Sequence, residues 1–192
     1  MGSLYIGLVH YPCRDRHDKI VTTMVTPLDV TDIARSACTY DVAQFFLITP
    51  LPSQQTIAQK LIDFWLKAEP DLAYRRPALQ RVRIVDRLET SFKSVVEREG
   101  IAPLLVGTDA RELPGTRISY EKLRELLETD DRPVYVLFGT GWGLAQEVLD
   151  RVDYFLPPIW GPTDYNHLSV RAAVAIILDR LRGRRYHTSE KE

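Results

Sequence analysis

The sequence has few cysteines, no excess of charge of either sign and no long apolar run, and each absence excludes a class of protein. Only Cys13 and Cys38 are present, so a disulfide framework is excluded and a cytoplasmic protein is the default. No apolar stretch approaches the ~20 residues that cross a bilayer, and the start, MGSLYIGLVHYP, lacks the basic region and cleavage site of a secretory signal. We therefore expect neither membrane insertion nor secretion.

The charge balance gives no sign of a partner. Lys and Arg number 25 against 26 Asp and Glu, a formal net charge of −1, so the total charge does not indicate a polyanion-binding protein. Any nucleic-acid binding must come from local clusters. The content of 45% hydrophobic and 27% charged residues is typical of globular proteins and excludes collagen, a coiled coil and a wholly disordered chain.

Short apolar runs alternate with segments of helical periodicity along nearly the whole chain. The runs are nearly continuous, as in strands that are covered on both faces. They begin at Leu4, Phe45, Val82, Ala102, Val134 and Tyr154. This alternation predicts an α/β fold, a mostly parallel sheet flanked by helices with right-handed crossovers. We expect a single domain over residues 1–183 and a basic, polar tail over 184–192.

Capping residues mark the predicted helices. Asp29, Ser53 and Ser119 are predicted N-caps, and Gly100 lies where a C-terminal glycine belongs. The last helix, from about Asn166 to Arg182, is apolar nearly all round, so we expect a sheet, a partner subunit or both to bury it.

Three segments that follow predicted strands can carry a ligand site, because open parallel sheets bind ligands beyond the carboxyl ends of their strands. They are GTDAR (107–111), GTGWG (139–143) and PPIWGPTDYNHLS (157–169). The glycines of GTGWG either let the backbone approach a ligand or make a tight turn. Their spacing is not the dinucleotide fingerprint, and no phosphate loop of the GxxxxGK[ST] type occurs. In the third segment Asp164 or Asn166 alone fits an N-cap, but the polar cluster exceeds what a cap requires.

The pairing of VLFGTGWGL with YFLPPIWGPTDYNHLSVRAAVAIILDRL resembles the SPOUT class of S-adenosylmethionine-dependent RNA methyltransferases, in particular its stand-alone bacterial members. TPLDVTDIARSACTY looks like the first motif of that class, with Arg35 on a helix. The resemblance implies a C-terminal trefoil knot, a homodimer that buries the last helix, and a bent S-adenosylmethionine held by backbone atoms of three loops. It implies cofactor contacts at Val106, Gly107, Thr108, Gly139, Gly141, Trp142, Leu156, Ile159, Gly161, Asn166 and Leu168. Trp142 either shields the adenine or packs in the core.

Methyl transfer from a sulfonium needs no protein nucleophile, so the candidate catalytic residues position the substrate or accept a proton. Asp164 is the first candidate, as a proton acceptor or as a reader of a guanine edge. His167 is a second candidate base, and its alternative is a structural or hydrogen-bonding role. Arg35 either orients a phosphate, assists deprotonation at a ribose hydroxyl, or is a solvated helix residue. Ser169 either contacts the substrate or the cofactor or lies in the first turn of the last helix.

Two basic clusters are candidate RNA contacts, because arginines contact phosphate while neighbouring rings stack on unpaired bases. The first contains Arg75, Arg76, Arg81, Arg83 and Arg87 with Tyr74, and the second contains Arg180, Arg182, Arg184 and Arg185 with Tyr186 and His187. The alternative for both is a solubilising surface.

His10, Cys13 and His17 match no established zinc spacing, so we expect no metal. We interpret the segment around them, PCRDRHDK, as a polar, mobile substrate-side loop.

The sequence thus predicts an S-adenosylmethionine-dependent methyltransferase that acts on tRNA or rRNA, with a base nitrogen and a ribose oxygen both open as acceptors. One alternative is a non-catalytic RNA-binding or assembly protein on the same scaffold. The other is an unrelated α/β nucleotide-binding enzyme, although its phosphate motifs are missing.

Overall fold

In the computed structural model, which describes residues 2–67 and 74–184, helices cover both faces of a parallel sheet. The strands of the sheet are β1 (Leu4–Val9), β4 (Gln44–Ile48), β5 (Val82–Val85), β6 (Leu104–Gly107), β7 (Val134–Gly139) and β8 (Tyr154–Phe155). The helices are α1 (Pro27–Thr39), α2 (Pro52–Leu66), α3 (Arg76–Leu79), α4 (Leu88–Glu99), α5 (Tyr120–Thr129), α6 (Gln146–Leu149) and α7 (Val170–Arg182). Two short strands, β2 (Cys13–Arg14) and β3 (Ile20–Val21), form a separate hairpin.

The six strands are parallel throughout and lie in the order β5-β4-β1-β7-β6-β8, which confirms the predicted α/β class. All six residues of the central β1 are buried, because apolar clusters lie on both sides of it. One cluster joins the sheet to α1, α2, α3, α5 and α7, and the other joins it to α4 and α6. Every predicted strand is present.

The starts of three helices differ from the sequence prediction. Asp29 lies inside α1, and Thr26 is its N-cap, with a side chain that accepts a hydrogen bond from the amide of Asp29. Ser53 likewise lies inside α2, which begins at Pro52. In both helices a proline occupies the first position, where its missing N–H and fixed φ are compatible with the helix. The proline therefore sets where the helix starts, and Asp29 and Ser53 fall inside it. Ser119 and Gly100 are caps as predicted, and Gly100 has the left-handed φ of 74°.

Helix α7 begins at Val170, not at Asn166, and its N-cap is Ser169, which accepts from the amide of Ala172. The N-cap interpretation of Asp164 or Asn166 is therefore wrong. One face of the helix is buried against the sheet, α1 and α5, whereas Asp179 and Arg180 are exposed.

The chain reaches α7 by passing between two segments of the same half. The Leu156 amide donates to the Gly107 carbonyl of β6 (3.1 Å), while the Phe155 amide donates to the Thr116 carbonyl on the other side (2.8 Å). The Phe155 ring fills the space over Gly107 and Gly115, where an added Cβ would come within 2.9 Å and 2.7 Å of ring carbons. Residues 155 and 156 therefore lie between the end of β6 and the segment around Thr116.

The hairpin of β2 and β3 replaces the predicted polar loop. Its strand β2 is tied to GTGWG by two backbone hydrogen bonds, Arg14 N to Gly143 O (3.0 Å) and Trp142 N to Arg14 O (3.1 Å). A third, Ala145 N to Pro12 O (3.1 Å), joins the residues next to them. The hairpin thus holds a predicted ligand loop in place.

Residues 185–192, most of the predicted tail, lie outside the described residues, and the single-domain boundary stays a prediction. Across the described ranges 2–67 and 74–184, no helix is long and apolar enough to span a membrane.

Candidate active site

The three segments singled out in the sequence meet at the carboxyl ends of β6 and β7, where they line one cavity of about 870 Å³. Residues 108–111 follow β6, residues 139–143 follow β7, and residues 157–159 and 165–170 lie between β8 and α7. Ala173 and Ile177 of α7 close one side. Thr23 and Met24 line the cavity from the connection between β3 and α1, and Asp29 lines it from the first turn of α1. The volume falls within the range of pockets that hold small molecules and cofactors.

The glycine loop (139–143) needs its glycines for close approach and for backbone conformation. Gly141 and Gly143 have φ of 62° and 100°, which side chains rarely adopt. A Cβ at Gly139 would lie 2.7 Å from the Leu144 amide nitrogen, because the chain folds back over it. Trp142 between them is 64% exposed while lining the cavity, so its alternative role in the core is wrong.

Asp109 is a cavity residue that the sequence analysis did not single out. Its side chain is only 5% exposed and accepts a fork of hydrogen bonds from Arg111, at 2.9 Å from Nε and 3.0 Å from Nη2. A Cβ on Gly143 would come within 2.7 Å of its Oδ2, so the glycine loop and the β6 loop fit closely here. Burial raises the pKa of Asp109 to about 6, against the opposing charge of Arg14. Its position just after a buried strand is the feature of the sequence that marks Asp109 as a possible site residue.

The third loop is joined to the first across the cavity. The Asn166 side-chain amide donates to the Ala110 carbonyl, and the Tyr165 ring lies edge-on to the His167 ring at 5.6 Å. Tyr165 is 72% exposed, so the wall made by these residues has an aromatic rim that is open to solvent.

Most of the residues implied as cofactor contacts line the cavity: Thr108, Gly139, Gly141, Trp142, Ile159, Asn166 and Leu168. Val106, Gly107 and Leu156 are buried next to it, and Gly161 is exposed on the third loop. Of the candidate catalytic residues, His167 and Ser169 line the cavity, whereas Asp164 and Arg35 are exposed and do not.

The connection between β3 and α1 and the first turn of α1 supply cavity residues that the sequence did not mark as site residues. Asp29 accepts from the Thr26 hydroxyl (2.6 Å) and lies 3.5 Å from the Arg171 guanidinium, which joins α1 to α7. Thr23 lies beside Thr140 of the glycine loop. Polar residues in a short irregular connection carry no periodic pattern, so tertiary structure alone reveals them.

The predicted RNA residues differ in how free their side chains are. The Arg75 guanidinium lies 4.0 Å from the centre of the Trp65 ring and 5.5 Å from that of Tyr74. Arg81 donates to the Val42 carbonyl and pairs with Asp41 at 3.3 Å, so its side chain holds two loops together. Arg180 lies 4.8 Å over Tyr120, while Arg185, Tyr186 and His187 lie outside the described residues.

The suggested metal residues do not converge in the part of the chain that the structure describes, where no group of three or more metal-ligating side chains occurs. Cys13 donates to the Val9 carbonyl (3.0 Å), whereas His17 is exposed beside Arg16.

Known proteins share both sequence and fold with this chain. A family model described as SAM-dependent RNA methyltransferase matches residues 3–183. An uncharacterized protein of Aquifex aeolicus is 41% identical over 93% of this chain and 88% of its own length. A tRNA (guanine-N(1)-)-methyltransferase of Nitratidesulfovibrio vulgaris is 40% identical over 94% of this chain, which spans only 42% of that protein.

The fold also matches that of a solved methyltransferase. The SpoU methyltransferase AviRb from Streptomyces viridochromogenes, solved in complex with AdoMet, superposes with a TM-score of 0.56 at 15% identity, over 94% of this chain and 56% of that one. The predicted fold class and family are thereby confirmed. The chain belongs to the SAM-dependent RNA methyltransferase family, has a SPOUT fold and uses S-adenosylmethionine as its cofactor.

Proposed function

We propose that the cavity between the three loops binds S-adenosylmethionine and that the chain transfers its methyl group to a nucleotide of tRNA or rRNA. The supporting observation is that the loops after β6, β7 and β8 converge on one pocket. The glycine loop presents bare backbone there, as a cofactor held by main-chain atoms requires. When bound, the cofactor supplies an activated sulfonium methyl, and the protein contributes orientation, exclusion of water and a proton acceptor.

Two aspartates compete for the role of proton acceptor. Asp164, our first choice, lies exposed on the third loop, where RNA can approach it. Asp109 lines the cavity itself, and its raised pKa of about 6 suits a base that works near neutrality. His167 also lines the cavity and stays a third candidate. The Ser169 hydroxyl already accepts from Ala172, so we assign it the role of cap.

The variants Asp164→Asn and Asp109→Asn separate the two candidates. We expect Asp164→Asn to bind S-adenosylmethionine as the wild type does and to lose at least about 100-fold in methyl transfer. Asp109→Asn should retain transfer if Asp109 only holds Arg111. Full activity in Asp164→Asn would remove it as the base, and a selective loss in Asp109→Asn would assign the role there.

RNA contacts are proposed for Arg35, on the exposed face of α1, and for the first basic cluster. In that cluster Arg75, which lies over the Trp65 ring and donates to the Tyr74 hydroxyl at 3.1 Å, can contact a phosphate while Tyr74 stacks on an unpaired base. Arg76 and Arg81 are half-buried, and Arg81 is already engaged with Asp41. We propose a smaller contribution from these two.

We also propose a homodimer, a trefoil knot and a cytoplasmic location. Met24, which lines the cavity, and Leu28, in the first turn of α1, are exposed apolar side chains that give a dimer an apolar surface. The knot follows if the segment from β8 to α7 is threaded through the loop 108–118. Light scattering of the wild type against Leu28→Glu tests the dimer, and we expect the variant to be monomeric.

Titration calorimetry tests cofactor binding directly. We expect S-adenosylmethionine to bind, and NAD and ATP not to bind, because no phosphate motif occurs in the sequence. No binding of S-adenosylmethionine by the folded protein would refute the proposal. The guanine-N1 activity named for the Nitratidesulfovibrio relative is one candidate reaction only, because this chain spans 42% of that protein.

A further inference from the structure

A partly buried series of side-chain hydrogen bonds runs from the end of β1 into the glycine loop, and no role proposed above uses it. His10 Nδ1 lies 2.9 Å from the Thr23 hydroxyl, which in turn contacts the Thr140 hydroxyl. Thr140 donates to the Val9 carbonyl at 2.9 Å. Thr23 and Thr140 both line the cavity, and His10 lies behind them, fully buried.

The direction of the series follows from the number of protons. Since the Thr140 hydroxyl proton is used on Val9, Thr140 accepts from Thr23. Thr23 then donates its own proton to Thr140, which is much nearer than its other acceptor, the His10 carbonyl at 3.4 Å. Thr23 therefore accepts from His10, which carries its proton on Nδ1. Every hydroxyl in the series then has one donor bond and one acceptor bond.

The other ring nitrogen supports this direction. Among the described residues, Nε2 of His10 is a buried atom with no hydrogen-bond partner. If the hydrogen bonds had the opposite direction, the ring proton would lie on Nε2 and have no acceptor. A buried N–H without an acceptor costs more free energy than a buried lone pair without a donor. Burial also lowers the pKa of His10 to about 4, so the ring is neutral at physiological pH.

We propose that His10 is a positioning residue for the cofactor loop: its Nδ1–H orients Thr23, and Thr23 in turn fixes Thr140 between the backbones of Gly139 and Gly141. Thr140 is the loop's half-buried side-chain tether, because the other positions of 139–143 are glycines and the exposed Trp142. Without that tether the glycine-rich loop must be ordered when the cofactor binds, and the cost lowers affinity. This inference rests on the proposed binding of S-adenosylmethionine in the cavity.

Matched substitutions test the role of the donor at Nδ1. His10→Asn places an amide near the Nδ1 position, His10→Gln places one near Nε2, and His10→Leu removes the donor. We expect His10→Leu and His10→Gln to weaken S-adenosylmethionine binding about tenfold, the scale of one lost hydrogen bond, and His10→Asn to stay within about threefold of wild type. Thr23→Val should weaken binding similarly, and Thr23→Ser should not. The double variant His10→Leu/Thr23→Val should be no worse than either single variant, since both break one series.

A spectroscopic measurement on the wild type needs no variant and no cofactor. Long-range proton–nitrogen NMR correlation should show His10 as the neutral Nδ1–H tautomer. The Nε2–H tautomer would overturn the inference, as would wild-type affinity in folded His10→Leu and Thr23→Val. Failure of the wild type to bind S-adenosylmethionine would instead refute the proposed function, and the tautomer would still be readable.

Discussion

Two buried titratable residues near the cavity act in opposite directions on stability. Burial lowers the pKa of His10 from 6.5 to about 4, although the charge of Asp29 opposes the shift, and it raises that of Asp109 from 3.8 to about 6. His10 contributes stability that is complete above pH 6.5 and is lost as the pH falls towards 4. Asp109 contributes stability that is complete below pH 3.8 and is lost as the pH rises through 6. Between these limits the two contributions offset each other.

When either side chain is replaced, the pH dependence of the free energy of unfolding should show the contribution of the other. In His10→Asn the free energy of unfolding should fall by on the order of 1 to 2 kcal/mol as the pH rises from 4 to 6.5, because Asp109 loses its stabilising contribution and that of His10 is gone.

In Asp109→Asn the opposite slope is expected. The free energy of unfolding should rise over the same interval by up to about 3 kcal/mol, because the His10 shift is no longer offset. Denaturant titrations at fixed pH values measure both slopes. Parallel pH profiles for the two variants and the wild type would contradict the pKa shifts.

Gly143 is the residue at which backbone conformation and close approach to Asp109 coincide. We expect Gly143→Ala to destabilise the protein by roughly 1 to 3 kcal/mol and to weaken cofactor binding, since a Cβ meets Oδ2 of Asp109 at 2.7 Å and φ is 100°. A control separates the causes: Gly100→Ala has a positive φ of 74° but open space, and Gly100 lies at the end of α4, away from the cavity residues. Cofactor binding as strong in Gly143→Ala as in Gly100→Ala would contradict our account of the loop.

Among the secondary-structure elements, the strands could be predicted from sequence and the helix starts only in part. Strands such as β1 and β7 are short apolar runs buried on both faces, so composition alone marks them. Helix starts depend on competition between neighbouring signals. At α1 the sequence Thr26, Pro27 and Asp29 offers two caps, and the proline position decides between them.

The hairpin of β2 and β3 could not be predicted at all. Each strand has two residues, and its position depends on backbone hydrogen bonds to the glycine loop, about 130 residues later in the sequence. Thr23 and Asp109 became candidate site residues for the same reason, because contacts across the carboxyl edge of the sheet bring them together.

Two serine caps provide a test of the role of Ser169. Ser169→Ala and Ser119→Ala each remove an N-cap hydroxyl, from α7 and α5 respectively, so each should cost about 1 kcal/mol of unfolding free energy. We expect kcat in Ser169→Ala to remain within about threefold of Ser119→Ala. A loss of tenfold or more in Ser169→Ala alone would make its hydroxyl part of the catalytic machinery.

For the whole molecule, the near-neutral charge and the position of the cavity define what the protein can recognise. With 25 basic and 26 acidic residues, it lacks the uniform positive field of a general nucleic-acid binder. Its cavity rim instead carries exposed aromatic side chains, Trp142 and Tyr165, that can contact an unstacked base. We therefore expect modest RNA affinity that depends on the local RNA structure around the target nucleotide.

The RNA nucleoside profile tests the central claim most directly. Digested tRNA and rRNA from a strain that lacks the gene should be compared by mass spectrometry with RNA from the parent and from a strain complemented with the wild-type gene. We predict that one methylated nucleoside is lost in the deletion strain and restored by complementation. The parent strain must express the protein under the conditions used. If the nucleoside profiles of tRNA and rRNA are then unchanged in the deletion strain, the claim that this chain methylates RNA is contradicted.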